Sequence, residues 1–193
     1  MIAPADTAPA PAIRRFTVRK SLRWGERVLA LVGLCFIIYR LGFEVMVMTS
    51  DSMSPTLRGN AYDNGDRILV EKVTGWFRRP HRWEIYFFYD AEGTPVAKRI
   101  VGLPGEKISI RQQRIYINGS EIQPPERLRF LKFYPFGNLI GGKEADCGSG
   151  YYVLGDDSRD SYDSRYLGPV AGSRFRGRVW CILGPRGRRG FVE

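Results

Sequence analysis

The sequence is poor in the side chains that most often build metal centres. Its 193 residues include one histidine, His81, and three cysteines, and no two cysteines have the C-x-x-C spacing. This composition argues against a structural zinc site or a histidine-based metal centre, so we expect neither a metal nor a cofactor. His81 lies in RRPHRW, where flanking arginines favour the neutral imidazole and nothing orients the ring as a base. A nucleophilic serine in this chain would therefore need a different base.

The sequence also has no long uncharged apolar run. The main candidate, VLALVGLCFIIY at 28–39, has 12 residues, and it reaches 21 residues at Met48 only by including Arg40 and Glu44. About 20 residues cross a bilayer, and charges one helical turn apart can pair, so we predict a transmembrane anchor at 28–48. No A-x-A-like site follows the run, which favours an uncleaved anchor over a cleavable signal peptide. A buried helix of a soluble protein is the alternative.

Acidic residues are scarce at the N-terminus. The first 27 residues carry Asp6 and Glu26 against six basic residues: Arg14, Arg15, Arg19, Lys20, Arg23 and Arg27. The positive-inside rule then predicts a basic cytoplasmic tail at 1–27, a single-pass anchor in the cell membrane, and an exported domain at 49–193 on its outer, periplasmic or extracellular, face. In such an exported domain Cys147 and Cys181 could form a disulfide, although the sequence does not show that they meet.

Beyond residue 50 there is no long amphipathic helical pattern. Short β-rich runs alternate with glycine, proline and Asn-Gly steps, and Asn118-Gly119 predicts a hairpin. The same residues fit a glycosylation sequon with Ser120, but the hairpin explains them better. We therefore predict a mostly β domain of antiparallel sheet over about residues 50–185, with an irregular insertion at about 123–150 and a mobile basic tail, RGRRGFVE.

Three stretches of this domain carry residues suited to catalysis. The first, TSDSMSPTL at 49–57, places Ser50 and Ser52 after the apolar run, ahead of a Ser-Pro step that stiffens the turn. The second, PVAKRIVGLPGE at 95–106, places Lys98 on a strand face between two β-branched apolar residues, Val96 and Ile100. Desolvation there would lower the pKa of the lysine, which must fall by about 3 units from ~10.4 before it can act as a base near neutral pH.

The third stretch, GDDSRDSYDSRYLG at 155–168, interleaves opposite charges with hydroxyls. It does not have the spacing of a calcium-binding loop. Dense alternation of opposite charges favours a rigid, self-paired network, which could hold Ser161 against another site. A plain solvated loop is the alternative.

Together the stretches resemble the type I signal peptidases, a family of membrane-anchored serine–lysine endopeptidases. SDSMSPTL resembles the family's S-x-S-M-x-P-T-L box, AKRIVGLPGE its lysine box, and GDDSRDSYDSRYLG its final box, while GDRILVEK at 65–72 resembles the strand between the first two. The match covers about 48–112 and 151–184. There are two departures: Asp157 stands where the family usually has asparagine, and RGNAYDNGD is longer than the usual L-x-x-G-D spacing.

The resemblance implies a role for each matching residue. Ser52 would be the nucleophile and Lys98 its general base, while Ser50 and the backbone N–H of Ser52 would form the oxyanion hole. The supporting residues would be Ser161, which orients Lys98, and two ion pairs, Asp163 with Arg165 and Arg99 with Asp156. The family's fold is β-rich, built from antiparallel sheets, with an apolar surface that contacts the membrane.

The implied function is removal of signal peptides from exported preproteins, with cleavage after small residues at A-x-A-like sites. The expected partners are these preproteins and membrane lipids, and no nucleic acid is expected. Five aromatic residues could supply the membrane-facing surface or pack in the core: Trp76, Phe77, Trp83, Phe87 and Phe88. Two alternatives remain, namely a dedicated peptidase of the same family that matures pilins or conjugation proteins, and a non-catalytic basic membrane protein that binds anionic lipid or nucleic acid. Self-cleaving SOS-type repressors share the serine–lysine logic, but the first 50 residues show no helix-turn-helix pattern.

Overall fold

A computed structural model describes residues 16–59, 65–90 and 92–192, with side chains from Lys20 onward. The chain divides into a unit that ends at Arg40 and a second unit that begins at Leu41. The described part of the first unit lies in one helix, α1, which runs from Phe16 to Gly42 over 27 residues and so extends into the second unit. Many of its apolar side chains are exposed, among them Leu29, Leu31, Val32, Phe36 and Ile37. Across the described ranges, no helix has both the length and the apolar character that crossing a membrane requires.

The anchor predicted at 28–48 is not one continuous helix. The helix ends at Gly42, and the apolar residues Phe43–Val47 form strand β1, which pairs antiparallel with β2, Arg67–Glu71. The carbonyl of Gly42 accepts a hydrogen bond from the backbone N–H of Lys72 at 2.8 Å, which fixes the chain at the transition. Glu44, which the sequence suggested could pair with Arg40, instead binds Lys72 at 2.7 Å.

The second unit is built on two antiparallel sheets, as predicted. Besides β1 and β2, the larger sheet contains β3, Ile85–Tyr89; β4, Pro95–Gly102; β9, Tyr152–Leu154; β10, Phe175–Gly184; and β11, Gly190–Phe191. The smaller sheet comprises β5, Lys107–Arg111; β6, Arg114–Ile117; β7, Ser120–Ile122; and β8, Ala145–Asp146. The larger sheet has the strand order β1-β2-β10-β3-β4-β9, with β11 paired to β10, and the smaller has the order β7-β6-β5-β8.

Beyond the end of α1, the described residues of this unit form only short helical turns. The α-helical turns are α2, Thr74–Phe77, and α3, Ser164–Leu167, and the 3₁₀ turns are Glu126–Leu128, Gly137–Gly142, Gly172–Arg174 and Arg186–Arg188. The hairpin predicted at Asn118-Gly119 is confirmed, since both residues have positive φ, 50° and 81°, and they join β6 to β7. The two 3₁₀ turns at 126–142 and strand β8 lie in the segment predicted to be an irregular insertion.

The larger sheet brings the predicted site together through its register. Lys98 lies in β4 opposite Tyr86 of β3, and the next residue, Arg99, lies opposite Ile85 and, on the other side, Leu154 of β9. The tail predicted to be mobile instead returns to the sheet, because Phe191 pairs with Cys181. Cys181 is therefore in a strand, and Cys147 is buried; both are free thiols.

Candidate active site

The loop that carries Ser52 follows strand β1 and is held by buried side chains. The backbone N–H of Ser54 donates to the carbonyl of Asp51 at 2.7 Å, and that of Leu57 donates to Met53 at 2.9 Å, so the segment folds into consecutive turns. Met53 and Leu57 are fully buried in an apolar core that they form with side chains of β2, β3, β4 and β10. Their burial leaves Ser52 half-buried at the surface of the core.

Lys98 reaches Ser52 from strand β4. Its Nζ lies 2.7 Å from Ser52 Oγ and 3.1 Å from Ser161 Oγ, so one amino group contacts hydroxyls from two of the predicted boxes. Only 4% of Lys98 is exposed. Burial lowers the pKa of Lys98 to about 8, although the nearby Asp163 carboxylate acts in the opposite direction. A substantial fraction of this lysine is therefore neutral at mildly alkaline pH.

Ser161 links the lysine to a buried ion pair. Its hydroxyl donates to Asp163 Oδ2 at 2.8 Å while its oxygen faces the lysine. Asp163 pairs with Arg165 through two contacts, Nε to Oδ1 at 2.8 Å and Nη2 to Oδ2 at 2.7 Å, and both side chains are fully buried. Asp163 also caps helix α3, because its carboxylate accepts from the backbone N–H of Arg165. The ion pair and the cap together fix the residue that contacts Ser161.

A second buried ion pair lies behind the lysine. Arg99 binds Asp156 through Nε to Oδ1 and Nη2 to Oδ2, both at 2.7 Å, with no exposure of either side chain. Arg99 also donates to the carbonyl of Trp83 at 2.6 Å. Thr56, from the serine box, donates its hydroxyl to the same Asp156 carboxylate. This pair thus connects strand β4, the final box and the loop of Ser52.

Gly155 is a site residue that the sequence reasoning missed. A Cβ atom at this position would lie 2.2 Å from Ser161 Oγ and 2.5 Å from the carbonyl oxygen of Ser52. The neighbouring Asp157 donates its backbone N–H to that same carbonyl at 3.1 Å. Because only glycine leaves room for this approach, the final box packs directly against the backbone of Ser52. The sequence signal that could have identified this role is the glycine at the start of GDDSRDSYDSRYLG.

The departure at Asp157 has a local explanation. Its Oδ1 accepts from the backbone N–H groups of Arg159 at 3.1 Å and Asp160 at 3.3 Å. The carboxylate therefore caps its own loop, a role that aspartate and asparagine share.

Ser50 and Ser52 face a common cavity. Their Oγ atoms lie 3.2 Å apart, as expected if both hydroxyls point the same way. The cavity beside them has a volume of about 320 Å³ and is lined by both serines and Lys98. Its apolar lining includes Met46, Met48, Ile68, Phe87, Val96 and Leu167. A largely apolar cavity next to a paired hydroxyl and amine can hold a small apolar group against the reactive atoms.

Of the remaining candidates, Phe87 and Phe88 line this cavity, and His81, Trp76, Phe77 and Trp83 do not. His81 is exposed, and its backbone N–H donates to Glu84 at 2.8 Å. Of the aromatics considered for a membrane-facing surface, Phe87 and Phe88 are only 3% exposed, so that assignment is wrong for these two. Trp83 is partly buried against the core. Trp76 and Phe77 are 66% and 82% exposed on α2, and these two alone of the set form an open aromatic surface.

The family model described as signal peptidase, peptidase S26, matches residues 21–183. Signal peptidase I U of Bacillus subtilis (strain 168) is 32% identical over 146 residues, which cover 72% of this chain and 73% of that protein. The probable signal peptidase I-2 of Synechocystis sp. is 31% identical over 178 residues, 89% of this chain and 77% of that protein. Signal peptidase I of Leptolyngbya laminosa is 32% identical over 196 residues, 96% of this chain and 91% of that protein. Because the match extends across both sheets, the chain belongs to the signal peptidase family, peptidase S26, and is a serine peptidase.

Proposed function

We propose that this peptidase removes signal peptides from exported preproteins with Ser52 as nucleophile and Lys98 as general base. The observation that carries the proposal is the 2.7 Å contact between a buried lysine amine and the serine hydroxyl. A lysine can act as a base only when its neutral form is populated, and burial lowers the pKa of Lys98 to about 8. His81 is exposed and does not line the cavity, which further supports the lysine as the base.

In the proposed reaction, neutral Lys98 takes the hydroxyl proton of Ser52 as Oγ attacks the scissile carbonyl carbon. The negative charge that develops on the carbonyl oxygen is stabilised by the Ser50 hydroxyl and the backbone N–H of Ser52. Protonated Lys98 then gives its proton to the leaving amine as the peptide bond breaks, which leaves an acyl-enzyme on Ser52. Water attacks this ester, Lys98 accepts the water proton, and Ser52 is released with that proton returned.

The buried network supports this role by keeping Lys98 aligned, while Arg165 partly offsets the charge of Asp163 beside it. The Ser161 hydroxyl contacts the same amine that contacts Ser52, at 3.1 Å. The negative charge of Asp163 raises the pKa of Lys98, and the positive charge of Arg165 lowers it. Because Arg165 binds Asp163 through both carboxylate oxygens, the network offers a hydrogen bond to Ser161 without a bare negative charge beside the lysine.

The cavity supports a preference for small residues before the cleaved bond. Met48, Ile68 and Phe87 line it on the apolar side, while Ser52 and Lys98 line it on the reactive side. The apolar part of this lining suits the small uncharged side chains of an A-x-A-like site. We infer that this cavity receives the residues that precede the scissile bond.

We also propose that the protein associates with membrane lipids. Helix α1 exposes a run of apolar side chains that includes Leu29, Val32 and Phe36, and α2 exposes Trp76 and Phe77. Basic residues precede the apolar part of α1, which supports a cytoplasmic N-terminus and a peptidase unit on the outer face of the cell membrane. Partition of the full-length chain between membrane and soluble fractions, before and after deletion of α1, tests this association.

Cleavage of a preprotein with an A-x-A site tests the catalytic proposal. We expect full-length protein in detergent micelles to release the signal peptide, and Ser52→Ala and Lys98→Ala to abolish release. The matched controls are the exposed residues Ser120 and Lys132, whose alanine variants should retain wild-type rates. Activity that persists in Lys98→Ala would overturn the lysine as base, and cleavage confined to a single pilin-like substrate in a panel would favour the dedicated peptidase.

A further inference from the structure

Asp66 joins the two ends of the loop that carries Ser52. Its carbonyl accepts from the backbone N–H of Met48 at 2.9 Å, where the loop begins. At the other end, Asp66 and Arg58 exchange two bonds: Asp66 N–H to the Arg58 carbonyl at 2.8 Å, and Arg58 N–H to Asp66 Oδ2 at 2.8 Å. Asp66 is 1% exposed. A buried carboxylate of this kind needs a cationic partner.

Arg188, in the C-terminal segment, is that partner. Its Nε lies 2.8 Å from Asp66 Oδ1 and its Nη2 lies 2.8 Å from Oδ2, so the guanidinium binds both carboxylate oxygens. The same Nη2 lies 3.0 Å from the carbonyl oxygen of Thr56 and 3.3 Å from that of Pro55. One guanidinium therefore ties Asp66 to two successive peptide groups of the serine-bearing loop. The side chain lies outside the range 21–183 matched by the family model.

The contact with Thr56 leads directly to the reactive groups. Thr56 donates its hydroxyl to Asp156, which binds Arg99, the neighbour of Lys98 on β4. Arg188 thus restrains a residue that is already connected to the strand of the lysine. The C-terminal segment is fixed in turn by the pairing of Phe191 with Cys181.

We propose that Arg188 is a positioning residue, which keeps the backbone of the loop at 55–58 in the place that aligns Ser52 with Lys98. The proposal rests on the assignment of Ser52 as nucleophile. The competing explanation is that burial of Met53 and Leu57 alone holds the loop, and that Arg188 adds only to stability. The two explanations differ in what happens to kcat per folded molecule.

The test compares Arg188→Ala, Arg188→Lys and the control Arg186→Ala in the full-length chain, with kcat, KM, the pH profile and the melting temperature measured for each. Arg186 is an exposed arginine in the same 3₁₀ turn, so its variant matches the loss of charge without the loop contacts. We expect Arg188→Ala to lower kcat roughly 10- to 100-fold, because small displacements of reacting groups have effects of that size. KM and the acidic limb of the pH profile should change far less than kcat, since the lining from Ile68 and Phe87 and the burial of Lys98 do not depend on the loop at 55–58.

Arg188→Lys keeps one charge for Asp66 but cannot donate in the fork that also reaches the carbonyls. We therefore expect an intermediate kcat, and this variant also serves if Arg188→Ala does not fold. A kcat equal to that of Arg186→Ala well below the melting temperature would overturn the proposal. Ser52→Ala, assayed in parallel, tests the nucleophile assignment separately from the role of Arg188. Activity in that variant would overturn the assignment of Ser52, whatever the effect of the Arg188 substitutions.

Discussion

Gly155 and Ser161 approach so closely that a single methyl group on the glycine would reach within 2.2 Å of the serine Oγ. The same methyl group would press on the carbonyl of Ser52, at 2.5 Å. The two serines whose hydroxyls contact Lys98 are therefore brought together across a glycine. The arrangement of Ser52, Ser161 and Lys98 depends on the lack of a side chain at position 155.

We expect Gly155→Ala to reduce cleavage strongly, by roughly 100-fold, because Ser161 or the backbone of Ser52 must shift to relieve the overlap. The measurement is kcat/KM on an A-x-A preprotein. Gly75→Ala is the control, since a Cβ there meets nothing within 4 Å. Equal activity of the two variants would show that the final box can move away from Ser52 without consequence.

The pH profile should report the ionisation of Lys98. Burial lowers the pKa of this amine to about 8, and only the neutral form accepts a proton. We therefore expect kcat/KM to fall about tenfold per pH unit below 8 and to level off above it. A limb centred near the ordinary histidine value of about 6.5 would point to a different base.

Replacement of Lys98 by methionine should stabilise the fold at neutral pH. Because the folded pKa is about 8 and the ordinary value 10.5, the charged lysine opposes folding below pH 8, and this penalty disappears as the pH rises from 8 to 10.5. We expect the free energy of unfolding of Lys98→Met to exceed that of the wild type by roughly 1–3 kcal/mol at pH 7, with allowance for the lost hydrogen bonds. Urea unfolding at pH 7 and pH 10.5 measures the difference, which should shrink at the higher pH. An advantage that does not change with pH would argue against a buried, neutral lysine.

The ion pair between Arg99 and Asp156 should be a major determinant of stability. Both side chains are fully buried, so Asp156→Asn removes the charge that balances the guanidinium. We expect a loss of about 3–5 kcal/mol in the free energy of unfolding, measured by urea denaturation. Glu144→Gln is the matched control, because its pairing with Arg111 is at 4.0 Å and well exposed, and a loss below about 0.5 kcal/mol is expected. Similar losses in both variants would show that burial of the Arg99–Asp156 pair adds nothing to the free energy of unfolding.

The local sequence was sufficient to predict structural features that depend on a single strand or a single turn. The alternation around Lys98 predicted an apolar strand face, and Asn118-Gly119 predicted the hairpin, because both depend on neighbours along the chain. The end of α1 at Gly42 was not predictable in this way, since FEVMV suits an apolar helix or a strand equally well. Its pairing with β2, and the choice of Lys72 over Arg40 by Glu44, are decided by tertiary structure.

The contacts that sequence reasoning missed join distant parts of the chain. Arg188 and Asp66 are 122 positions apart, and the tail that contains Arg188 was expected to be mobile because it is a basic chain terminus. Phe87 and Trp76 illustrate the same limit. Both are aromatic, but Phe87 in β3 is buried and Trp76 on α2 is exposed. Composition alone does not say which face of a sheet another element covers.

Asp163 caps α3 with the same carboxylate that receives the hydroxyl of Ser161. The helical turn cannot fray without moving an acceptor that belongs to the reactive centre. Under the proposed mechanism, the capping of α3 and the positioning of Lys98 depend on one carboxylate. We therefore expect a substitution that alters the thermal stability of this turn to alter the turnover rate as well.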